Sequence, residues 1–443
     1  MIVMKFGGSS LANADKIRTV IDLVRRELDR YPAVVVSAHG GTTDKLLFAA
    51  RAALSGKVDV SAVEKFHLDL ARSLGVDPSP IAPMIEQLSK ILQGVSLVDE
   101  LSPRTLDHIM SFGERLSAMM VASAMNAAGL PATSLNSFEI GLRTDSHHGH
   151  ASPLSDIDAD IAAAVRAARG VAVITGFLGR DPKGNITTLG RSGSDFSASI
   201  VGAALQATEI QIWTDVNGVM TADPSIDSRA ENLPVLSFTE ASELAYYGAE
   251  VLHPSTLVPA LRKGIPVRVL NTTKPQDPGT LIVHSPVLTQ RMAKSVVYKE
   301  DVVLIHIASP RLMSAARLLS SSIERLATHG VGVHLAATSE ATVSMVTDRS
   351  YSPEVLESVL EDLGRLGNVT AETGKAIVCV VGAEMQGKAG TAGRILATLG
   401  DAGITARMIS QSASEINIAL VIDGTEISRA VCALHGLLLC NRE

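Results

Sequence analysis

Near the start of the chain, a lysine and two glycines have the spacing of a phosphate-binding turn. Lys5 ends a short apolar run, and Gly7, Gly8 and Ser9 follow it. Glycines let backbone amides approach phosphate oxygens closely, and a lysine supplies a point charge for a transferring phosphoryl group. The segment is not a Walker A loop, because no Gly-Lys-Ser or Gly-Lys-Thr completes it. An ordinary turn between a strand and a helix is the alternative interpretation.

A second glycine-rich turn follows the next β-branched run. This turn, Ser37–Asp44, contains the pair Gly40-Gly41 and Thr43, and a helical pattern follows it. Two such turns at the carboxyl ends of strands in one sheet lie at the same edge, where open α/β sheets bind ligands. His39 in this turn is a candidate for catalysis, but a packed or solvated loop histidine is the interpretation we favour.

A glutamate stands in an otherwise apolar helical pattern. Glu114 lies within Ser111–Ser117, and a carboxylate there can accept hydrogen bonds from a substrate ammonium group. A salt bridge of Glu114 with Arg115 or another neighbour is the alternative, and the sequence favours neither interpretation.

The segment Thr188–Ser197 combines glycines with an arginine, serines and an aspartate. Arg191 can bind a carboxylate through two parallel hydrogen bonds. Asp195 can orient a lysine or hold Mg²⁺ through water. A solvated polar turn is the alternative, which the density of polar groups disfavours.

A strand pattern ends in Thr214 and Asp215, before a turn that contains Gly218. Both side chains can contact the sugar or base of a nucleotide. A turn cap without a ligand is an equally good interpretation of the spacing.

The composition limits the class of protein. A chain of 443 residues predicts two or three domains. Aromatic residues make up 3% of the chain, which argues against a nucleic-acid binder that stacks bases on aromatic side chains. The formal net charge is −7 and the chain contains no long basic run, so no footprint for a polyanion is present.

Cysteine usage and the absence of targeting signals favour a cytoplasmic location. The three cysteines, Cys379, Cys432 and Cys440, form no metal-type pair and no disulfide framework, which fits a reducing cytosol. No signal peptide is visible. The apolar stretch Leu116–Leu130 is too short and too polar to span a membrane.

The first two-thirds of the chain alternates strand-like and helix-like segments. This order predicts an α/β fold with a mainly parallel sheet that is covered by helices on both faces. The predicted strands include 2–4, 34–36, 171–174, 210–213 and 266–270. The turn-rich segment 273–280 predicts the end of this domain.

The last third of the chain repeats itself. Ser339-Glu340 precedes an alternating strand pattern, and Ser414-Glu415 precedes a second one. Each pair follows a helical pattern and a glycine with a β-branched neighbour. Two small α+β modules of about 70 residues each are therefore expected.

With these motifs in this order, the sequence resembles the aspartate kinases of the amino-acid kinase superfamily. The resemblance covers nearly the whole chain and rests on the segments KFGGSS, SFGERLSA, LGRSGSDFSA, TDVNGVMTADP and YYGAEVLHPSTL. It implies an amino-acid kinase fold over residues 1–285. It also implies two ACT domains of βαββαβ topology over residues 300–372 and 373–443, which can interleave.

The resemblance implies a reaction and its cofactors. ATP and L-aspartate would give ADP and 4-phospho-L-aspartate, with Mg²⁺, as the first step in the biosynthesis of the aspartate-family amino acids. Another carboxylate kinase, acting on glutamate or an N-acylglutamate, is the alternative enzyme. A catalytically weak, amino-acid-sensing regulatory subunit is the alternative from a different class.

The resemblance also implies residue roles. Lys5 would contact the phosphates and stabilise the charge of the transfer, Asp195 would organise Lys5 and MgATP, and Arg191 would bind the α-carboxylate of aspartate. The other implied contacts are Gly7, Gly8 and Ser9 as the phosphate cradle, Thr43, Glu114 and Ser194 with aspartate, and Thr214 and Asp215 with the nucleotide.

Three positions depart from the family pattern. Many members have a lysine that approaches the phosphates where this chain has Glu250, so the source of a second cation stays open, with Lys263 or Arg229 as candidates. Met220 and Ser225 stand where members often have tyrosine and arginine, which predicts a modified ATP pocket.

Regulation is the last implication of the resemblance. Ser339 and Glu340 match the ligand corner of the first ACT domain, which implies an end-product amino acid as effector. Lysine is expected first and threonine second. ACT domains pair between chains in this family, so a homodimer or a higher homo-oligomer is expected. No nucleic-acid or membrane partner is expected.

Overall fold

The computed structural model describes residues 1–248, 253–309, 314–348 and 352–440. The chain forms two compact units, each built from several segments. The first unit consists of Met1–Val219, Pro234–Ala241 and Val251–Ser285. The second consists of Met220–Leu233, Ser242–Glu250 and Pro286–Glu443.

The first unit is built on an eight-stranded sheet with the strand order β3-β4-β2-β1-β7-β9-β10-β8. All neighbours are parallel except β9 and β10. A separate hairpin joins β5 and β6. The strands are β1 (Ile2–Phe6), β2 (Pro32–Val36), β3 (Ala132–Leu135), β4 (Val171–Thr175), β5 (Leu178–Arg180), β6 (Ile186–Thr188), β7 (Glu209–Thr214), β8 (Val235–Ser237), β9 (Val267–Asn271) and β10 (Thr280–Val283).

Nine helices begin in the described part of this unit, and the last turns of one of them, α8, belong to the second unit. They are α1 (Ala14–Arg26), α2 (Thr42–Leu54), α3 (Ser61–Leu74), α4 (Ile81–Val98), α5 (Pro103–Ala127), α6 (Asp158–Ala167), α7 (Gly193–Leu205), α8 (Phe238–Tyr246) and α9 (Val258–Lys263). The predicted alternation of strands and helices is confirmed.

Helices cover both faces of the sheet. Every residue of β1, β2 and β4 is buried, as expected for strands with no solvent-facing side. Ile2, Met4 and Phe6 belong to one apolar cluster together with residues of α1, α2 and α5. On the opposite face α7 packs closely, because a Cβ on Gly202 would lie 2.4 Å from Ile210 Cδ1. This confirms the predicted α/β arrangement.

The longest helix, α5, carries the apolar stretch that begins at Leu116. Ser102 caps its first turn by accepting a hydrogen bond from Thr105 N at 3.2 Å, and Pro103 occupies the first helical position. The helix packs into the core of the unit. Among the described residues, we find no helix with the length and apolar character needed to cross a membrane.

The second unit contains one antiparallel sheet of six strands in the order β12-β13-β11-β14-β16-β15. The strands are β11 (Ser295–Ala308), β12 (Val333–Thr338), β13 (Thr342–Asp348), β14 (Asn368–Val381), β15 (Met408–Gln411) and β16 (Asn417–Asp423). The helices are α10 (Ala315–Thr328), α11 (Pro353–Gly364), α12 (Thr391–Asp401) and α13 (Ile427–Cys440).

Two long strands divide this sheet into two interleaved modules. Residues 302–308 of β11 pair with the first part of β14 and with β13, over one apolar core. Residues 295–299 pair with the second part of β14, which in turn pairs with β16, over another core. The register shifts between Lys299 and Val302. The second module therefore takes one of its strands from the chain that precedes the first module.

Candidate functional site

The two glycine-rich turns lie at one edge of the large sheet. In the parallel register Phe6 is the partner of Val36 on one side and of Trp213 on the other, so β1, β2 and β7 end side by side. Gly7 N–H donates a hydrogen bond to Trp213 O at 3.3 Å. The turns that follow these strands meet at the edge where open α/β sheets bind ligands.

The first two turns pack so closely that Gly8 has no room for a side chain and Gly40 has little. A Cβ on Gly8 would lie 2.8 Å from Ala38 O, a distance that real side chains do not adopt. A Cβ on Gly40 would lie 3.0 Å from Ala12 Cβ and 3.3 Å from Gly8 O. The carbonyl of Ser9 accepts a hydrogen bond from Lys16 Nζ at 2.7 Å. The backbone of the first turn is therefore held by the second turn and by Lys16 of α1.

Lys5 and Asp195 form a nearly buried ion pair at this edge. Lys5 Nζ lies 2.6 Å from Asp195 Oδ1, and the two side chains are 10% and 13% exposed. Asp195 stands in the first turn of α7. Its Oδ1 is buried and accepts no aligned hydrogen bond from the described residues. This oxygen therefore keeps coordinating capacity beyond its contact with Lys5.

Glu114 projects from α5 toward the second turn. Its Oε1 accepts a hydrogen bond from Ala38 N–H at 3.1 Å, and burial raises the pKa of this carboxyl to about 8. Arg115 does not pair with it. The Arg115 guanidinium lies 4.6 Å from the ring centre of Phe112 and donates to Gln87 Oε1 at 3.3 Å. Glu114 therefore forms no salt bridge with Arg115, and none with another neighbour is seen among the described residues.

Arg191 stands between two residues in the left-handed region. Gly190 has φ of +77° and Ser192 has φ of +56°, and this sharp turn leaves the Arg191 side chain exposed. The turn packs against Phe177, because a Cβ on Gly193 would lie 2.6 Å from Phe177 Cδ2. Backbone conformations of this kind persist only where the surrounding structure enforces them.

Ser194 is buried where the turn enters α7. Its Cβ and Oγ would each lie 2.7 Å from a Cβ on Gly176, so the helix start packs directly on the chain after β4. The structure therefore brings Lys5, Asp195, Glu114 and Ser194 to the same edge, with Arg191 on the exposed side of the turn.

Thr43 is exposed in the first turn of α2, whereas its neighbour Thr42 is fully buried. Thr42 Cγ2 lies 3.9 Å from the Cβ position of Gly113, next to Glu114, and Thr42 Oγ1 has no hydrogen-bond partner in the described parts of the chain. Thr42 is a candidate that the sequence reasoning missed. The signal was the Thr-Thr pair at a helix start, where consecutive residues face different directions.

Thr214 and Asp215 end β7 at the same edge. Thr214 is half-buried and donates to Asp215 Oδ1 at 3.2 Å, while Asp215 is exposed. The end of β9 adds two residues that the motifs did not indicate. Asn271 Nδ2 donates to Asp215 O at 3.2 Å, and Thr272 Oγ1 lies 2.6 Å from Ser10 Oγ. The nucleotide candidates are therefore tied to the first turn through β9.

His39 is packed, as the sequence interpretation favoured. Its Nδ1–H donates to Leu11 O at 3.0 Å, and its ring centre lies 5.5 Å from that of His67. Burial, together with the neighbouring His67, lowers the pKa of His39 to about 3. His39 is thus held neutral and joins the two turns, and its Nε2 is buried without a hydrogen-bond partner among the described residues.

Glu250 lies outside the described residues. The two candidates for a second cation each have an acidic neighbour within their own unit. Lys263 Nζ lies 3.4 Å from Asp158 Oδ2. In the second unit, Arg229 binds Asp227 through Nε at 2.9 Å and Nη2 at 2.7 Å.

Ser225 and Met220 also belong to the second unit. Ser225 Oγ donates to Asp223 Oδ1 at 2.6 Å. Met220 O accepts a hydrogen bond from Ser295 Oγ at 2.9 Å. Ser225 and Met220 thus form hydrogen bonds with other residues of the second unit.

The predicted effector corner lies between β12 and β13. Ser339 and Glu340 are exposed, and Ser339 N–H donates to Thr342 O at 2.9 Å, which closes the turn. Both side chains are therefore accessible to a ligand.

The site fits Mg²⁺ that arrives with a nucleotide. The described residues contain no cluster of three or more His, Cys, Asp or Glu side chains able to hold a metal. Mg²⁺ is usually bound through one or two carboxylates together with substrate phosphates and water. Asp195, with its buried oxygen beside Lys5, supplies such a carboxylate.

Known protein families match both parts of the chain. Residues 1–271 match the amino acid kinase family, and residues 378–438 match an ACT domain. Aspartokinase 1, chloroplastic, of Arabidopsis thaliana is 37% identical over 451 residues, which cover 98% of this chain and 79% of that protein. Lysine-sensitive aspartokinase 3 of Escherichia coli is 30% identical over 451 residues, which cover 99% of each chain.

The solved structures that the chain resembles are also aspartokinases. The crystal structure of E. coli aspartokinase III in complex with aspartate and ADP (R-state) has a TM-score of 0.82 at 28% identity, and the match covers 99% of this chain and 100% of that one. Its complex with lysine and aspartate (T-state) has a TM-score of 0.80 at 28% identity over 99% of both chains. The chain belongs to the amino acid kinase family and, within it, to the aspartokinases.

Proposed function

We propose that this chain transfers the γ-phosphoryl group of ATP to the side-chain carboxylate of L-aspartate, giving ADP and 4-phospho-L-aspartate. This reaction is the first step toward lysine, threonine and methionine. The observation that carries the proposal is the Lys5–Asp195 ion pair, which lies beside two close-packed glycine turns at the carboxyl edge of the sheet. The named aspartokinase relatives support the same reaction.

The reaction needs charge stabilisation more than proton transfer. The side-chain carboxylate of aspartate is ionised at neutral pH, so it attacks the γ-phosphorus directly and requires no general base. Catalysis then consists of alignment of the two substrates and neutralisation of charge on the transferring group. Lys5 supplies the point charge, and Asp195 holds its ammonium group in place.

Gly7, Gly8 and Ser9 form the phosphate cradle in this proposal. Their turn has no room for side chains at Gly8, which lets backbone amides approach the phosphates. Asp195 would hold Mg²⁺, which supplies charge neutralisation of the phosphates when bound. Thr214 and Asp215 would contact the nucleotide from the end of β7.

Four residues would bind aspartate. Arg191 would take the α-carboxylate, Glu114 the ammonium group, and Thr43 and Ser194 would supply hydroxyls. Before aspartate binds, Glu114 is mostly protonated at pH 7, because burial raises its pKa to about 8. A substrate ammonium group beside it favours the ionised form, so aspartate binding would release a proton.

The second unit would sense an amino acid. The relative in E. coli is named lysine-sensitive, and one of its solved structures contains lysine and aspartate. We propose lysine as the first effector to test and threonine as the second, at the corner formed by Ser339 and Glu340. Assembly as a homodimer or larger homo-oligomer through the ACT domains belongs to the same proposal, as does a cytoplasmic location.

The functional division of the chain is also a proposal. Residues 1–285 would form the catalytic domain, and 300–372 and 373–443 the two ACT domains. The interleaved strands of the second unit support two ACT domains. Residues 295–299 would then belong to the second ACT domain, because they pair with the part of β14 that also pairs with β16.

A direct test is ATP turnover with L-aspartate, with the acyl phosphate trapped by hydroxylamine. Product is expected from the native chain and is expected to fall sharply in Lys5→Ala. Lys90→Ala, at an exposed position of α4, is the matched control. Product with glutamate or an N-acylglutamate in place of aspartate would move the assignment to another carboxylate kinase. Amino-acid binding without any product would favour a regulatory subunit.

A further inference from the structure

Asp107 is a buried carboxylate to which the reaction assigns no role. It is 2% exposed and stands near the start of α5, in the first unit. A buried carboxylate must be compensated by hydrogen bonds or by a cation, because desolvation of the charge is costly. The partners of Asp107 therefore indicate what it holds in place.

The hydrogen bonds that Asp107 accepts come from two other segments of the chain. Oδ1 accepts from Thr188 Oγ1 at 2.6 Å and from Gly149 N–H at 3.1 Å. Oδ2 accepts from His148 Nδ1–H at 2.7 Å, Gly149 N–H at 3.1 Å and Thr188 N–H at 3.3 Å. One carboxylate thus joins α5 to the loop around Gly149 and to the end of β6.

Thr188 leads directly into the turn that presents Arg191. Its carbonyl accepts a hydrogen bond from Ala151 N–H at 2.9 Å, so Thr188 is bound both to Asp107 and to the loop around Gly149. The turn itself packs on the same loop, because a Cβ on Gly190 would lie 2.8 Å from His150 Nδ1. Displacement of this loop would therefore displace the Arg191 turn as well.

The same helix carries Glu114. Glu114 is seven positions after Asp107, which is about two helical turns and about 10 Å along the axis. Positions seven apart also lie on nearly the same face of a helix. A rigid helix thus sets the spacing between Glu114 and the segment that carries Arg191.

We propose that Asp107 is a positioning residue for recognition of the substrate's α-carboxylate: it holds the Thr188–Arg191 turn at a set distance from Glu114. The inference rests on the proposed function, in which Arg191 binds that carboxylate. It predicts an effect on aspartate binding that leaves ATP binding unchanged.

The first variant is Asp107→Asn, which keeps the volume of the side chain. The amide replaces one acceptor oxygen with a donor group, and this group would face donors from His148, Gly149 and Thr188. Hydrogen bonds to a charged acceptor are also about twice as strong as neutral ones. We expect KM for L-aspartate to rise about tenfold or more, with KM for ATP within about twofold of the native value.

β-Alanine is the discriminating probe, because it is aspartate without the α-carboxylate. Its inhibition constant against L-aspartate should be the same in the native chain and in Asp107→Asn. Thr188→Val removes one donor to Asp107 without a change of shape, and a smaller rise in KM for aspartate is expected. Thr188→Ser retains the hydroxyl and should recover most of that loss. If Asp107→Asn does not fold, the comparison of Thr188→Val with Thr188→Ser tests the proposal instead.

Arg191→Ala separates the inference from the function on which it rests. A rise in KM for aspartate in Arg191→Ala, without one in Asp107→Asn or Thr188→Val, would overturn the positioning role and leave the proposed function intact. An unchanged KM in Arg191→Ala would overturn both the role of Arg191 and the inference. Equal rises in KM for ATP and aspartate in Asp107→Asn would indicate a general loss of structure and would also overturn it.

Discussion

Lys5 Nζ and Asp195 Oδ1 lie 2.6 Å apart, although Lys5 is near the end of the first strand and Asp195 is in the first turn of α7. The pair has little contact with solvent, so neither charge can be removed without consequence for the other. Loss of one partner from a buried ion pair destabilises a protein because the remaining charge is left uncompensated.

Asp195→Asn should therefore lower both activity and stability. We expect kcat to fall about 10²-fold or more, because Lys5 loses the group that orients it. The free energy of unfolding should fall by about 3 kcal/mol. The double variant Lys5→Met with Asp195→Asn should recover most of that stability without any activity, as measured by urea unfolding. Equal stability of the single and double variants would show that the uncompensated charge of Lys5 is not the cause of the loss.

Glu114 should make aspartate binding depend on pH. Its pKa is raised from 4.5 to about 8 by burial, so the free protein holds a proton there at pH 7. If the ammonium of aspartate binds the ionised form, affinity should rise as pH increases from about 6 to about 8 and then level off. Calorimetry in two buffers with different ionisation enthalpies should detect release of close to one proton at pH 7.

Glu114→Gln is the control for that experiment. It should bind aspartate more weakly and release no proton. The reverse pH trend, with tighter binding as pH falls from 8 to 6, would contradict the assignment of Glu114 to the ammonium group.

The buried histidines should make the fold sensitive to acid. Burial lowers the pKa from 6.5 to about 3 for His39 and to about 4 for His67. Between pH 6.5 and pH 4 the unfolded chain therefore binds protons at these positions that the folded chain does not. Stability rises with pH where the unfolded state binds more protons, so it should fall as pH decreases through this window. Each histidine contributes about 1 kcal/mol per pH unit.

The charged neighbour of the pair is Lys45, whose Nζ lies 4.4 Å from the ring centre of Phe66. It opposes protonation of His67. His39→Asn and His67→Asn retain a donor near the position of Nδ1 and cannot titrate. Urea unfolding at pH 7, 6 and 5 should give a flatter pH dependence for each variant. A slope equal to that of the native chain would rule out these histidines as the cause.

Gly8→Ala tests the close contact between the two glycine turns. The new methyl group would lie 2.8 Å from Ala38 O, so the turns must separate. KM for ATP should rise about tenfold, because the amides of the phosphate cradle move. Gly94→Ala in α4 is the matched control. Its Cβ would meet nothing within 4 Å, and alanine should stabilise the helix by about 0.5–1 kcal/mol. ATP binding unchanged in Gly8→Ala would exclude a role for this contact.

Glu340→Gln tests the effector corner. The residue is exposed in the turn between β12 and β13, so the substitution should not alter the fold. The concentration of lysine or threonine that gives half-maximal inhibition should rise about tenfold, with kcat unchanged. Glu357→Gln, on the exposed side of α11, is the control. Full inhibition retained in Glu340→Gln would place the effector elsewhere.

Much of the fold and the family could be predicted from local patterns. Apolar β-branched runs predicted the central strands correctly, because a strand buried on both faces has no polar side chains to break the run. The motifs around Lys5, Glu114 and Arg191 predicted the aspartokinase family, which the relatives confirm. Such features depend on residues that are close in sequence, so spacing alone reveals them.

Tertiary structure decided the features that join distant segments. Asp107 stands in a helical pattern like any solvated acid, and only the folded chain brings Thr188 and Gly149 to it. The boundary between the two small modules was likewise hidden, because β14 is one continuous strand that pairs with both. Local patterns determined the elements and the chemistry they carry. Long-range packing determined which charges are buried together, since burial depends on neighbours that the linear sequence does not show.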